Sequence, residues 1–353
     1  MSSKKSKLQK LWNLVIPICY YLYGYSLIAV IVIVNILTLN LKLKPDEATN
    51  SILLNILKGC GKTTLIHHIL QKSNPKWFAK LPEKCFESQF LEMSSDAFNR
   101  KVWAQDDLIT TFRGTSTKQR EQLMGFHNTY LTKGEYSRQG RTVKGRIVCL
   151  YGMAKEKKMY QKEMFQETFT DRFMRVKLDF DRKTKKAILE ARDRKKSTPI
   201  PTVELPFKEE PVDVEIPDVF LDSINELALE LDEKNVMSFA RAQTFIKNFV
   251  KSSADINGRL EVCEDDLRLF KLVLPLHFGT STGNVDTRVR MLILEKSMNG
   301  EKVSGRNIKD ELVEKLGCSE SSIQKSLSLL RLNNVVRYEK VSVGRGYDYE
   351  YWL

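Results

Sequence analysis

The residues best suited to chemistry stand together in Leu53-Leu54-Asn55-Ile56-Leu57-Lys58-Gly59-Cys60-Gly61-Lys62-Thr63-Thr64-Leu65-Ile66. Gly59 and Gly61 let the backbone approach an anion with no Cβ in the way. Lys62 can reach the β- and γ-phosphates of a nucleotide, and the Thr63 hydroxyl can ligate Mg²⁺. A helix starting near Thr63 would aim its free N–H groups at the same anion. The apolar residues before the glycines read as a buried strand, and those after Thr64 as a helix. Gly59, Cys60, Gly61, Lys62, Thr63 and Thr64 are therefore expected to hold ATP; a purely structural turn is the alternative. A second stretch, Lys101-Val102-Trp103-Ala104-Gln105-Asp106-Asp107, reads as a strand ending in two carboxylates. Asp106 is expected to share a Mg²⁺ shell with Thr63, and Asp107 to orient or deprotonate an attacking water. Solvent-facing acids in a turn are the alternative there.

The glycine stretch resembles the Walker A loop of P-loop NTPases, G-x-x-x-x-G-K-[ST], with one departure. The pattern asks for glycine at position 56, and Ile56 stands there. Ile56→Gly is the repair this reading suggests should hydrolysis be weak. Asp106 and Asp107 match the Walker B position, where Asp-Glu is commoner.

A chain of 353 residues implies two or more domains. Its net charge of +13 and pI near 9.3 point to nucleic acid or an anionic membrane surface, or to a scattered basic exterior. Cys19, Cys60, Cys85, Cys149, Cys263 and Cys318 form no metal-ligand spacing and read as free thiols of a reducing compartment.

Leu11 to Leu41 contains no charged residue. A bilayer core needs about 20 apolar residues as a helix, so residues 14–41 are expected to make a single membrane span. Tyr20, Tyr21, Tyr23 and Tyr25 would then sit near the interface. Lys4, Lys5, Lys7 and Lys10 before the run favour a cytoplasmic N-terminus, which conflicts with a cytoplasmic ATP site. A disrupted reading frame joined to a truncated ATPase is a second reading, consistent with the missing helix before the first strand and with Ile56. A buried helix is the third.

Downstream, Lys118–Tyr130 has the pattern of a helix, and Leu131–Arg141 that of a basic hairpin directed at DNA or of a plain surface turn. A strand over Arg146–Leu150 ends at Tyr151-Gly152, where a polar sensor residue is expected. Phe165–Phe173 resembles the segment of AAA+ ATPases that offers an arginine to a neighbouring subunit's γ-phosphate. That resemblance implies a head-to-tail ring and assigns the role to Arg172, with Arg175 second; a surface arginine is the alternative. Arg182–Lys196 is basic, and Ser197–Pro217, with five prolines, reads as an extended linker rather than core. Asp218–Leu274 is helical by pattern. Its stretch from Ser238 to Leu267 resembles the lid of the MCM and Mg-chelatase branch of AAA+ ATPases, which implies a γ-phosphate role for Arg241.

Val285–Leu353 reads as three capped helices and a hairpin around Gly344-Arg345-Gly346, the pattern of a winged helix. Ser321, Ser322, Gln324, Lys325 and Ser328 would face a DNA major groove, with Arg345 at the wing tip.

The fold expected is thus an α/β P-loop NTPase (AAA+) core with an α-helical lid and a C-terminal winged-helix domain, preceded by an N-terminal apolar helix. The divisions are 1–50, basic N-terminus and membrane helix; 51–196, ATPase core; 197–217, linker; 218–280, lid; and 285–353, winged helix. The whole resembles MCM-like replication ATPases of archaeal chromosomes and mobile elements. This implies ATP and Mg²⁺ as cofactors, DNA as partner, and cytoplasmic ATPase and winged-helix domains. A catalytically decayed, nucleotide-sensing DNA-binding regulator and a membrane-tethered ATPase acting on protein are the two alternatives.

Overall fold

The computed structural model describes residues 7–44, 47–56, 59–81, 87–108, 116–138, 140–153, 171–194, 198–344 and 346–353. Residues 165–170 of the segment compared with AAA+ ATPases, Cys85 and the wing-tip Arg345 lie outside them.

A five-stranded parallel sheet carries the site, in the order β2-β5-β1-β6-β7. Its strands are β1 (Ser51–Ile56), β2 (Lys101–Gln105), β5 (Ile147–Met153), β6 (Phe173–Asp179) and β7 (Thr280–Ser281). All six residues of β1 are buried, as an apolar run in a sheet covered on both faces requires. On one face Ile52, Leu54 and Ile56 join a core built with helix α2 (Ser26–Ile36) and helix α3 (Thr64–Gln71). On the other, Leu53 meets an aromatic cluster of Phe90, Trp103, Phe126 and Tyr130, from helix α4 (Glu87–Glu92), β2 and helix α5 (Thr117–Lys133). The basic hairpin is β3 (Glu135–Arg138) with β4 (Arg141–Lys144).

The N-terminal run is not one membrane-spanning helix. It folds as α1 (Gln9–Tyr21) and α2, separated by a turn at Gly24 with φ +77°. No helix among the described residues is long and apolar enough to cross a membrane. Every residue of α2 is buried within the protein. Burial of each of its Ile, Val and Leu side chains stabilises the fold by about 1.5–3 kcal/mol. Two polar contacts tie this region to the rest of the chain: Asn50 Nδ2 donates to Asn35 Oδ1 at 2.8 Å, and Ser252 Oγ donates to the Val34 carbonyl at 2.6 Å. Helix α2 is therefore the helix preceding the first strand that the sequence reading found missing.

The proline-rich stretch is extended, as expected, but it packs on the core rather than hanging free. Val203, Leu205 and Val214 are buried, and the backbones of Lys42 and Asn40 bond Val212 on both sides. Helix α6 (Arg182–Arg194) precedes it; α7 (Leu221–Glu233), α8 (Phe239–Ile256), α9 (Glu264–Val273) and the short α10 (Pro275–Phe278) follow.

The C-terminal unit runs α11 (Val285–Met298), β8 (Val303–Ser304), α12 (Gly305–Leu316), α13 (Glu320–Leu332), β9 (Arg337–Val343) and β10 (Gly346–Trp352). Asn284, Ser304 and Ser319 each accept a backbone N–H three residues on, so all three helix starts are capped. Ile323, Leu327 and Leu330 point inward from α13, and the strands form an antiparallel sheet in the order β8-β10-β9. The unit is pinned to α9 by Arg337, whose Nε and Nη2 donate to the Asp265 carboxylate at 2.9 and 2.8 Å.

Candidate nucleotide site

Strand β1 ends at Ile56, and the chain turns through Gly59 and Gly61 into α3. Both glycines have left-handed backbone, with φ of +78° and +99°, which a side chain would strain. Helix α3 is wound in wide π turns over Thr64–Gln71, a rare geometry found mostly at functional sites. Ile56, at the departure from the loop pattern, is the fully buried last residue of β1, and its carbonyl accepts a hydrogen bond from Lys62 Nζ. Replacing it with glycine would remove core packing, so the repair suggested by the sequence works against the fold.

The two acidic positions arrive from β2. Thr63 Oγ1 donates to Asp106 Oδ2 at 2.7 Å, although 43 residues separate them. A hydroxyl and a carboxylate held this close are hard oxygen donors, and Mg²⁺ sites use one or two carboxylates together with substrate phosphates. His67 Nε2 lies 3.8 Å from Asp106 Oδ1, and its Nδ1 meets Gln71 Oε1 at 2.5 Å. Burial pushes the Lys62 ammonium below the usual lysine range; the Asp107 and Asp106 carboxylates act in the opposite direction.

Asp106 is seated by a glycine in the neighbouring strand. A Cβ at Gly152 would fall 2.2 Å from the Asp106 carbonyl oxygen, so β5 has no side chain where the acid's backbone passes. Of the expected sensor position Tyr151-Gly152, Gly152 offers no side chain. Tyr151 lies inside β5 rather than at its end, is buried, and shares a 2.9 Å hydrogen bond with His127 Nε2.

The loop opens into a cavity of about 780 Å³. Lys62, Thr63, Asp106 and Asp107 form its polar end. Tyr21, Leu22, Tyr23 and Tyr25 from the α1–α2 turn form one wall, and Ile188, Ala191, Pro199 and Ile200 the other. The Tyr25 hydroxyl donates to the Cys60 carbonyl at 2.5 Å, and the Leu22 side chain would stand 3.2 Å from a Cβ at Gly61. Helix α6 is capped by Asp181, which accepts the Thr184 N–H at 2.9 Å and Arg288 Nη2 of α11 at 2.6 Å. Through this ion pair the C-terminal unit contacts the start of α6.

Sequence reasoning missed these walls. The tyrosines are visible in sequence, but the apolar run beside them points to a bilayer interface. His67, His68 and Ile188 carry no motif, and only the fold brings them to the loop.

The two arginines with expected phosphate roles lie elsewhere. Arg172 Nε donates to the Asn128 carbonyl at 2.9 Å and to Thr132 Oγ1 at 3.1 Å. Arg241 pairs with Asp171, whose carboxylate also accepts the Ser238 N–H at 2.8 Å. The two sit beside one another through Asp171, and neither lines the cavity at Lys62. Arg175 Nη2 is engaged by the Asn235 and Val236 carbonyls at 2.7 and 2.8 Å. On α13, Ser321, Ser322, Gln324 and Lys325 are exposed; Ser328 is half-buried, 3.4 Å from Arg331 Nη2.

A phosphate loop between a buried parallel strand and a helix, with the next strand's acid bonded to its threonine, makes this a P-loop NTPase fold. No protein-family model matches the sequence, and no curated protein matches it. Among solved structures, it is similar to a full-length MCM homolog from Methanopyrus kandleri at 12% identity and a TM-score of 0.49. That alignment covers 78% of this chain and 59% of the homolog, so this chain spans under two thirds of that protein. It is also similar to a protein of Cytophaga hutchinsonii assigned as an ATPase, at 14% identity and a TM-score of 0.44, covering 75% of this chain and 85% of that one.

Proposed function

We propose that this chain is a Mg²⁺-dependent ATPase of the AAA+ type that acts on DNA. The observation that carries the reading is the 2.7 Å bond between Thr63 and Asp106, closed at the polar end of a cavity that also holds Lys62 and Asp107. Lys62 supplies the phosphate charge, and the positive N-terminal end of α3 adds to it. Thr63 and Asp106 are the side chains that would hold Mg²⁺, which neutralises charge on the phosphates when bound. Asp107 is the base or orienting group for water. The tyrosine-lined wall suits a nucleobase, being apolar with few polar groups.

Arg172 and Arg241 sit away from their own phosphate loop, which supports a role across a subunit boundary in a ring. The three capped helices and three-stranded sheet of the C-terminal unit have the layout of a winged helix. The exposed Ser321, Ser322, Gln324 and Lys325 are the residues proposed to meet duplex DNA, with Ser328 at the edge of that row and Arg345 at the wing tip. A second reading, nucleotide binding with little turnover, is favoured by one observation. Lys62 is held on the carbonyl of Ile56, at the position where the loop pattern has glycine.

ATP hydrolysis measured with and without duplex DNA tests the proposal. Lys62→Ala should abolish nucleotide binding, and Asp106→Asn should spare binding but remove Mg²⁺-dependent hydrolysis. Equal hydrolysis in both variants and the parent would overturn the assignment. Binding without turnover in the parent would establish the second reading.

A further inference from the structure

The hairpin β9–β10 keeps its acidic residues on one face. Cross-strand pairing puts Tyr338, Lys340 and Ser342 with Tyr351, Tyr349 and Tyr347 on one face. Glu339, Asp348 and Glu350 belong to the other. The tyrosine face looks toward α13, where Tyr351 is buried and Arg331 places its guanidinium 4.0 Å from the Tyr349 ring and 5.9 Å from that of Tyr338. Lys340 Nζ lies 3.7 Å from the Tyr347 ring. Tyr349 meets its neighbours edge to face, with centroids 5.9 Å from Tyr338 and 5.7 Å from Tyr347. The two outer rings remain open: Tyr338 is 50% exposed and Tyr347 60%.

Two exposed tyrosines flanking the half-buried Tyr349, with Arg331 against the central ring, Lys340 against Tyr347 and no acid among the described residues of that face, suit one kind of ligand. Successive bases stack on such rings whatever their sequence, while the cations take the backbone phosphates. A duplex hides its base faces within the stack and offers these rings nothing. We infer that the face formed by Tyr338, Tyr347 and Tyr349, with Arg331 and Lys340, binds unpaired DNA strands. It is separate from the exposed row Ser321–Lys325 at the other end of α13. This inference rests on the DNA-directed reading above but not on the nucleotide site.

The test uses the full-length protein without nucleotide. Binding of a labelled oligo-dT and of a labelled duplex of equal length is followed by fluorescence anisotropy at low salt. Stacking on one aromatic is worth about 1–3 kcal/mol, so Tyr338→Ala and Tyr347→Ala should each weaken oligo-dT binding by about 5- to 160-fold. Tyr347→Phe, which keeps the ring, should stay within about twofold of the parent, and duplex binding should not change in any variant. Both side chains are exposed, and thermal melting confirms that the alanine variants fold. Unchanged oligo-dT affinity, or equal losses for oligo-dT and duplex, overturns the inference while leaving a DNA-directed ATPase intact. A parent that binds neither probe overturns both and makes this face a protein contact.

Discussion

Tyr25 and Cys60 are joined by a 2.5 Å hydrogen bond from the phenol to the loop carbonyl, so a residue of the N-terminal turn holds a peptide of the phosphate loop. Burial raises the Tyr25 phenol well above the ordinary tyrosine range, which keeps it a donor at any working pH. Tyr25→Phe removes only this bond. A net hydrogen bond contributes about 0.5–1.5 kcal/mol, so nucleotide affinity should fall about two- to tenfold. Titration with a fluorescent ATP analogue measures it, and an unchanged affinity would mean that the loop holds its shape unaided.

Gly152→Ala asks whether the missing side chain in β5 matters. The new Cβ would overlap the Asp106 carbonyl, and overpacking of this kind costs about 1–3 kcal/mol. Hydrolysis should suffer more than stability, because the displaced backbone carries the carboxylate bonded to Thr63. Comparing kcat with the urea midpoint separates the two, and an enzyme of normal kcat would contradict the placement.

Ile56→Gly should not improve turnover. The side chain is fully buried on the core side of β1, and truncations of this size cost about 2–5 kcal/mol. A lowered melting temperature with no gain in ATPase rate is the expected result. A faster enzyme would show that the loop, and not the core, sets the need at this position.

Acid should destabilise the protein through its buried histidines. Burial lowers His127 and His277 from 6.5 to about 4. The unfolded chain therefore binds protons between these values while the folded chain does not. Each histidine removes on the order of 1 kcal/mol of stability per pH unit as pH falls from 6.5 toward 4, with no effect above that window. Urea unfolding at stepped pH measures the slope. In His127→Gln, which cannot protonate, the slope should be shallower than in the parent.

Mixing should reveal whether Arg172 serves a neighbour. Arg172→Ala and Lys62→Ala proteins, each inactive alone, should regain partial hydrolysis when combined, since mixed interfaces pair an intact loop with an intact arginine. Co-assembly followed by native mass spectrometry, with no recovery of activity, would leave Arg172 as a brace for α5.

The parts of this molecule that are legible in sequence are those whose cause is local. Capping serines and the Ile323–Leu327–Leu330 spacing mark the C-terminal helices, and glycine, lysine and threonine mark the loop. Asp106 is legible as the residue that follows an apolar strand. The N-terminal run was misjudged because hydropathy reports the wish to leave water, not the destination. Gly24, with its left-handed backbone, marks the turn that divides the run into two short helices. The Asn35–Asn50 pair and the cavity walls from residues 21–25 and 188–200 depend on contacts across the chain, for which residue type gives no sign.

Asp181 and Arg288 link two parts of the molecule. Asp181 begins a 13-residue helix whose Ile188 and Ala191 line the cavity, and Arg288 belongs to the first helix of the C-terminal unit. Helix α6 is a crossbar with one end hooked to that unit and its middle set against the nucleotide wall. A ligand that shifts α6 on entering the cavity would be felt at the Asp181–Arg288 pair, and any such coupling would act equally in both directions.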